Sequence, residues 1–462
     1  MKVLLIAYDN DSYIHEFPMG LAYIASALRN AGYDVTIYNQ DKFHYPESHL
    51  TDYLTRNRFD IVGLGVIGGY YQYHKLLKIS EAINCVPNRP LYVLGGHGPS
   101  PEPEYFLKKT GADVIIIEEG DITVVDLLDA CEHKRSLSTV NGIAYLNGGY
   151  LVKTKPQELI KDLDSIPWPA WDLFPMDYYS LFRRPHIKNN ERAFHILSGR
   201  GCPFKCNFCY RMEKGFRPRA AESIIEEIQI LKKDYRISYI DFLDELLMSS
   251  EKRTIMLCEA FIQAGLNIKW SCNGRLNFAK PEVLKTMKKA GCVFINYGIE
   301  SVDDHMLNVM NKNLTVDQIT KGIEATLAEG ISPGFNIIFG NIGETPEILQ
   351  KGVEFLLKYD DHSQLRTIRP VTPYPGCDLY YYAIEKGLLK DCADFYENKH
   401  INSDLLSVNF TDLSDDEFHR VLFEANKTLL KNYYQQLSQS MIRVAEKLYS
   451  QKDTSFRGFR QT

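Results

Sequence analysis

Gly199-Arg200-Gly201-Cys202-Pro203-Phe204-Lys205-Cys206-Asn207-Phe208-Cys209-Tyr210 is the run that decides how this chain reads. Its cysteines have the spacing C-x3-C-x2-C. Three thiolates on one tight loop can hold three irons of a [4Fe–4S] cluster and leave the fourth iron without a protein ligand. An open metal position binds a small molecule, which points to chemistry rather than to a structural staple. A closed zinc site would need a fourth ligand, and no second C-x2-C pair occurs in the sequence. His195 is close in sequence, but the run Phe194-His195-Ile196-Leu197 reads as a buried strand. A disulfide would leave one cysteine over and suits a secreted chain. The other cysteines, Cys85, Cys131, Cys258, Cys272, Cys292, Cys377 and Cys392, are scattered as buried small hydrophobes are in a reducing compartment. A cytoplasmic setting is therefore expected.

Toward the amino terminus, strand and helix patterns alternate over the first 140 residues, which predicts a parallel α/β sheet. Val3–Ala7, Asp34–Tyr38, Ile61–Val66, Leu91–Leu94 and Val114–Ile117 read as strands, and Met19–Ala31 as an amphipathic helix stopped by Gly32. Several strands end in glycine or acidic loops: Gly68-Gly69, Gly95-Gly96-His97-Gly98, and Glu118-Glu119-Gly120-Asp121. Ligands of such sheets bind at the carboxyl ends of the strands, and loops of this kind let a large planar ligand approach the backbone. Alternatively they are only tight turns. Asn141–Val152 reads as a hairpin turning at Asn147-Gly148-Gly149, and Ile166-Pro167-Trp168-Pro169-Ala170-Trp171-Asp172 as a connection.

From Phe194 the alternation resumes, with strands near Phe194–Leu197, Tyr239–Phe242, Ile268–Ser271, Val293–Tyr297, Pro333–Phe339 and Leu365–Ile368. About six β/α units predict an incomplete barrel of the TIM type, with functional groups at the carboxyl ends of its strands. The cysteine run follows the first of them. Asp415–Gln451 has a helical pattern that Ser414 can cap, and the polar tail Lys452–Thr462 reads as disordered. The division is 1–140, a linker with a hairpin over 141–190, a second domain over 191–390 and a helical region over 391–462. The 462 residues carry a net charge of −6, so no basic nucleic-acid surface is expected. No apolar run approaches the ~20 residues of a membrane span, and Met1–Ala7 is too short for a signal peptide.

The cysteine run resembles the motif of the radical S-adenosylmethionine (SAM) enzymes, with Phe208 at the aromatic position before the last cysteine. The first domain is similar to the cobalamin-binding domain of one large subgroup. Phe17-Pro18-Met19-Gly20-Leu21-Ala22 resembles its first loop and helix, Asp60-Ile61-Val62-Gly63 and Gly95-Gly96-His97 its next landmarks, and Glu119-Gly120-Asp121 its fourth. The Asp-x-His-x-x-Gly motif that gives cobalt a histidine elsewhere is absent, since Gly95 stands two residues before His97. The resemblance implies a flavodoxin-like (Rossmann-type) cobalamin domain, a partial (β/α)6 radical SAM barrel and a helical carboxyl-terminal region.

It also implies cofactors and roles. Cys202, Cys206 and Cys209 would hold the [4Fe–4S] cluster, and Phe208 would lie near the adenine of SAM. Asp244 or Glu245 would meet the SAM amino group, Arg275 its carboxylate, and Glu300, in Gly298-Ile299-Glu300-Ser301, its ribose. A solvated turn or helix cap at Asp244 and Glu245, or a surface ion pair at Arg275, would serve as well. Gly20, Gly68, Gly69, Gly95, Gly96, His97, Glu119 and Gly120 would line the cobalamin. The implied activity is C-methyl transfer to an unactivated carbon, through a 5′-deoxyadenosyl radical and methylcobalamin. Alternatives are a cyclase or rearrangement enzyme resembling the anaerobic magnesium-protoporphyrin monomethyl ester cyclases, or, in another class, a redox or cobalamin sensor without turnover. The expected partners are a small-molecule or natural-product substrate and an electron donor such as flavodoxin or ferredoxin.

Overall fold

Short apolar runs bounded by glycine or polar turns become the strands of two parallel sheets in this computed structural model, which describes residues 1–11, 16–184 and 186–456. The first sheet contains β1 (Lys2–Ala7), β2 (Asp34–Asn39), β3 (Ile61–Gly65), β4 (Leu91–Gly95), β5 (Val114–Ile116), β6 (Ile143–Asn147) and β7 (Tyr150–Lys153). Its order is β2-β1-β3-β4-β5-β6-β7, and the first five strands are parallel. Leu4, Val62, Tyr92 and Ile115 are fully buried, as expected of strands covered on both faces. This flavodoxin-like order reverses direction between β1 and β3, so a crevice opens at the carboxyl ends of those strands.

The hairpin read from the sequence as part of the 141–190 linker is instead the antiparallel edge of this sheet. β6 pairs with β5, and Ile143 and Ala144 are buried. Pairing there covers an edge of β5 that would otherwise carry open backbone hydrogen-bonding groups. The connection that follows packs between the domains. Phe17 meets Phe174 at 5.0 Å and Phe194 of the second domain at 4.7 Å between ring centroids. One apolar core thus runs from the helix Met19–Asn30 through Trp171 and Tyr179 into the second sheet.

That sheet holds β8 (Ala193–Ile196), β11 (Tyr239–Phe242), β12 (Lys269–Gly274), β13 (Cys292–Glu300), β14 (Ser332–Phe339) and β15 (Arg369–Pro370), while β9 (Gly199–Arg200) and β10 (Arg217–Pro218) pair with each other as a separate antiparallel ribbon. Its parallel order β15-β14-β13-β12-β11-β8 steps through the chain one unit at a time and leaves the barrel open between its first and last strands. The sixth strand forms later than the predicted Leu365–Ile368. Arg366 is buried there and is tied to Asp360, Asp361 and the Pro333 carbonyl, which holds that segment as a loop.

Residues 391–410 do not belong to a separate helical region. Phe395, Tyr396, Val408 and Phe410 pack into the core beneath the first sheet. The long helix Asp415–Gln451 has the predicted bounds, and Ser414 with Glu417 forms a reciprocal capping box. Of the tail expected to be disordered, residues 457–462 lie outside the described residues. Among the described residues, no helix is long and apolar enough to cross a membrane.

Candidate active site

The cysteine loop leaves the barrel at the end of β8. Ser198 is fixed there by Asp244, which accepts from its backbone N–H at 2.6 Å and from its hydroxyl. Gly201 takes φ +85°, a left-handed turn that glycine adopts without strain. The loop is pinned from outside: Asn207 donates its backbone N–H to the Met310 carbonyl at 3.0 Å, and Asn311 donates its side chain to the Lys205 carbonyl at 2.7 Å. Cys206 is buried, Cys202 half-buried and Cys209 exposed. A hydrogen bond from Cys209, helped by Lys312 and Arg275 against burial, draws the Cys206 thiol down to about 6. Among the described residues no three His, Cys, Asp or Glu side chains are gathered as ligands of one metal ion would be. A cluster asks for less convergence, because each thiolate takes a different iron. A pinned loop with three thiols, one already inclined to ionise, therefore fits a [4Fe–4S] cluster.

Two cations stand beside these thiols. Arg275, placed on the SAM carboxylate from the sequence, lies over the Phe204 ring with its guanidinium 3.6 Å from the centroid. It also donates to the carbonyls of Lys312 and Asn313. These contacts brace the loop, while the buried Nε of Arg275 has no hydrogen-bond partner among the described residues. Lys312 was not singled out from the sequence. It is buried, pairs with Glu300 at 2.9 Å, and sits 5.8 Å from the Phe208 ring centroid. Burial works against its charge, but Glu300 and Cys206 outweigh burial and raise its pKa. Glu300 itself adopts φ +67° at a register shift of β13, a strained conformation for a non-glycine residue at a strand end. Asp244, the other proposed amino-group ligand, is spent on Ser198, and burial pushes its carboxyl up to about 6. Glu245 beside it is exposed toward the cleft. Its pKa is raised by burial and by Asp244.

A cavity of about 600 Å³ lies between the domains. From the first domain it is lined by Gly20, Gly65, Ile67, Gly95, Gly96, His97, Glu118, Glu119 and Gly120, and from the barrel by Leu197, Gly199, Arg200, Gly201, Asp244 and Glu245. A methyl group at Gly20 or Gly65 would meet no atom within 4 Å, so both glycines face open space. Gly96 has φ +97°, and a β-carbon there would come within 2.6 Å of the Val66 carbonyl. An apolar slot continues inward past Val3, Leu5, Ile61, Gly63 and Val93. His97 points into the cleft with its ring edge toward Tyr210, centroids 6.2 Å apart, and burial lowers its pKa. Gly68 and Gly69 are placed elsewhere. Gly68 lies against the Tyr396 hydroxyl, and Gly69 begins the helix Tyr70–Asn84. The run Gly63-Leu64-Gly65-Val66-Ile67-Gly68 has the spacing G-x-G-x-x-G, but its first two glycines lie within β3, so it is not a phosphate turn between strand and helix. A glycine-lined crevice with an apolar slot at the switch point fits the broad face and the tail of a corrinoid.

The wall of this cavity holds residues that sequence reasoning missed. Arg200, beside the cysteine motif, bonds Glu119 at 2.9 Å and Asp121 at 2.8 Å, both in the loop after β5. Arg217 bonds Glu119 at 2.8 Å and also pairs with Glu213. All five groups are nearly buried. Their carboxylates and guanidiniums satisfy one another in a bidentate network that joins the two domains at the cavity. Glu119 is thus held by two arginines, which outweigh burial and lower its pKa.

Two family models match: the B12 binding domain over residues 10–128 and the Radical SAM superfamily over 196–356. An uncharacterized methyltransferase of Pyrococcus horikoshii is 32% identical over 401 residues, covering 84% of each chain. The chain belongs to the cobalamin-binding radical SAM enzymes. An anaerobic magnesium-protoporphyrin IX monomethyl ester cyclase of Rubrivivax gelatinosus is 28% identical over 79% of this chain and 65% of its own length. The solved radical SAM methyltransferase TsrM of Kitasatospora setae, with cobalamin and a [4Fe–4S] cluster bound, shares the fold. Its TM-score is 0.68 at 16% identity, covering 83% of this chain and 75% of that one. As an enzyme of this family the protein uses a [4Fe–4S] cluster, SAM and cobalamin, and the residues described above fit these groups.

Proposed function

We propose that the protein is a C-methyltransferase that places a methyl group on an unactivated carbon of a small molecule. The observation that carries this reading is the cavity that brings the glycine loops of the first domain to the cysteine-bearing end of the barrel. When bound, the cluster, SAM and cobalamin together supply a carbon-centred oxidant and a transferable methyl group.

The chain's own residues bind and orient. Cys202, Cys206 and Cys209 hold the cluster. Glu245 offers an unpaired carboxylate to an ammonium group, and Glu300 with Lys312 offers an acceptor and a donor beside Phe208 for the polar groups of SAM. Gly20, Gly65, Gly95, Gly96 and Gly120 would let a corrinoid lie against backbone, and His97 would stand at its border. The Arg200 and Arg217 network closes the wall between the domains and keeps water from crossing it. An electron donor of the flavodoxin or ferredoxin class would reduce the cluster. The ten free cysteines support a reducing, cytoplasmic setting.

The test uses the anaerobically reconstituted protein, cobalamin, dithionite, SAM carrying a deuterated methyl group and a small-molecule extract of the source cells. A product that gains the labelled methyl together with 5′-deoxyadenosine supports the reading. 5′-Deoxyadenosine without label transfer would favour the cyclase chemistry named for the Rubrivivax relative, and no 5′-deoxyadenosine would favour a sensor.

A further inference from the structure

The helix Asp415–Gln451 has two halves with different faces. Its buried residues Phe418, Leu422, Ala425 and Leu429 all lie in the first half. They seat it on the barrel, with Phe418 stacked on Phe339 at 4.8 Å and Asn426 bonded to both backbone groups of Ile368. Continued at helical spacing, this packed face runs through Asn432, Gln436, Ser440, Arg443 and Lys447. Those residues are polar, so the face that meets the body of the chain does not continue as an apolar one.

The second half is apolar on another side. Leu430, Tyr434, Leu437, Met441, Val444 and Leu448 recur at alternating steps of four and three. At 100° per residue this stripe is turned by roughly 110° from the packed face, away from the barrel. Tyr434 is 57% exposed and Leu437 46% exposed. A spacing that averages 3.5 residues is the seam of a left-handed two-helix supercoil.

We propose that this stripe is the interface with a second copy of the same chain, formed by the two projecting helix ends. The flanks of the seam are Lys431, Tyr433, Ser438, Ser440, Ala445 and Lys447, so an identical helix meets like charge only near the lysines at the two ends of the stripe. A membrane surface fits less well, because helices that lie on lipid carry polar faces rich in Lys and Arg. Here the rest of the helix surface is largely Gln435, Gln436, Gln439 and Ser450, with Glu446 between Arg443 and Lys447, and it also exposes Ile442 and Tyr449. A fully exposed apolar side chain buries roughly 60–120 Å², and Leu430, Met441, Val444 and Leu448 start half-buried, so twelve such residues bury at most about 1,000 Å². That is near the lower bound for a specific interface, so the dimer should be reversible.

The experiment is sedimentation velocity on the reconstituted full chain from about 0.5 to 100 µM, a range that brackets a micromolar dissociation constant. The proposal expects a concentration-dependent shift from 53.1 kDa to twice that mass. The double substitution Leu437→Glu, Met441→Glu should abolish the shift. Neither side chain belongs to the buried core, so near-ultraviolet circular dichroism and iron content should be unchanged. Gln439→Glu, on the opposite face, should leave the dimer intact. A monomer at every concentration, a dimer that survives the double substitution, or a monomer that sediments instead with anionic phosphatidylserine vesicles would overturn the proposal.

Discussion

Arg200→Met isolates the contact that joins the domains. The guanidinium it removes is 12% exposed and lies against carboxylates that are 4% and 7% exposed. Glu119 keeps Arg217 at 2.8 Å, but Asp121 loses its cation and both of its guanidinium hydrogen bonds. Breaking a buried ion pair from one side costs about 3–5 kcal/mol, because the remaining charge stays buried and unpaired. Methionine preserves most of the volume, so cavity formation adds little. The expected loss is therefore about 3–4 kcal/mol in the iron-free chain. The assay is urea unfolding followed by tryptophan fluorescence. Trp168 and Trp171 stack at 6.1 Å in the connection between the domains and report its disruption. Adding Asp121→Asn to Arg200→Met removes the stranded charge and should return at least half of the loss. A loss below about 1 kcal/mol would refute the reasoning, since it would mean that the network is solvated as surface pairs are.

Lys312→Met should cost a similar amount by stranding Glu300, should lower iron retention, and should be rescued in stability by adding Glu300→Gln; unfolding and iron titration check both. Gly65→Leu extends into open cavity, so it should change unfolding free energy by less than about 0.5 kcal/mol while weakening cobalamin binding at least tenfold, read from the corrin spectrum. Gly96→Ala differs: at φ +97° its new methyl meets the Val66 carbonyl, and about 2 kcal/mol of stability should be lost before any ligand is added. Asp41, at the far end of the cavity, has its carboxyl raised by burial from 3.8 to about 6, with Tyr179 and Asn10 offsetting only part. The folded chain then holds that proton more tightly than the unfolded chain, so this group's contribution falls as pH rises from about 4 to 6 and stays low above. Two units correspond to about 3 kcal/mol, so Asp41→Asn should stabilise the ligand-free chain at pH 7 and not at pH 4.

What was legible in the sequence was local. Three cysteines within eight residues, apolar runs ending in glycine and a Ser-x-x-Glu cap each carry their meaning in adjacent residues, and from them come the candidate cluster ligands, nearly all strands and the last helix. The wall of the cavity was not legible, because Arg200 and Glu119 lie 81 residues apart and nothing near either names the other. Lys312 hides in a polar loop, where only the fold brings it to Cys206. Gly68 and Gly69 looked like cofactor glycines because glycine after a strand marks a turn but not the side it faces. The hairpin's turn was plain in Asn147-Gly148-Gly149, whereas its attachment to β5 depends on an edge that only the assembled sheet creates.

The central claim is that one cleft presents a cluster and a corrinoid to each other. It is tested most directly by anaerobic reconstitution of the whole chain with iron, sulfide and hydroxocobalamin, followed by iron analysis and a visible spectrum. The account predicts about four irons and one cobalamin per chain, with the irons lost in Cys206→Ala and the cobalamin lost in Gly65→Leu. Zinc in place of iron, or a full cluster on a chain that binds no cobalamin, would contradict it.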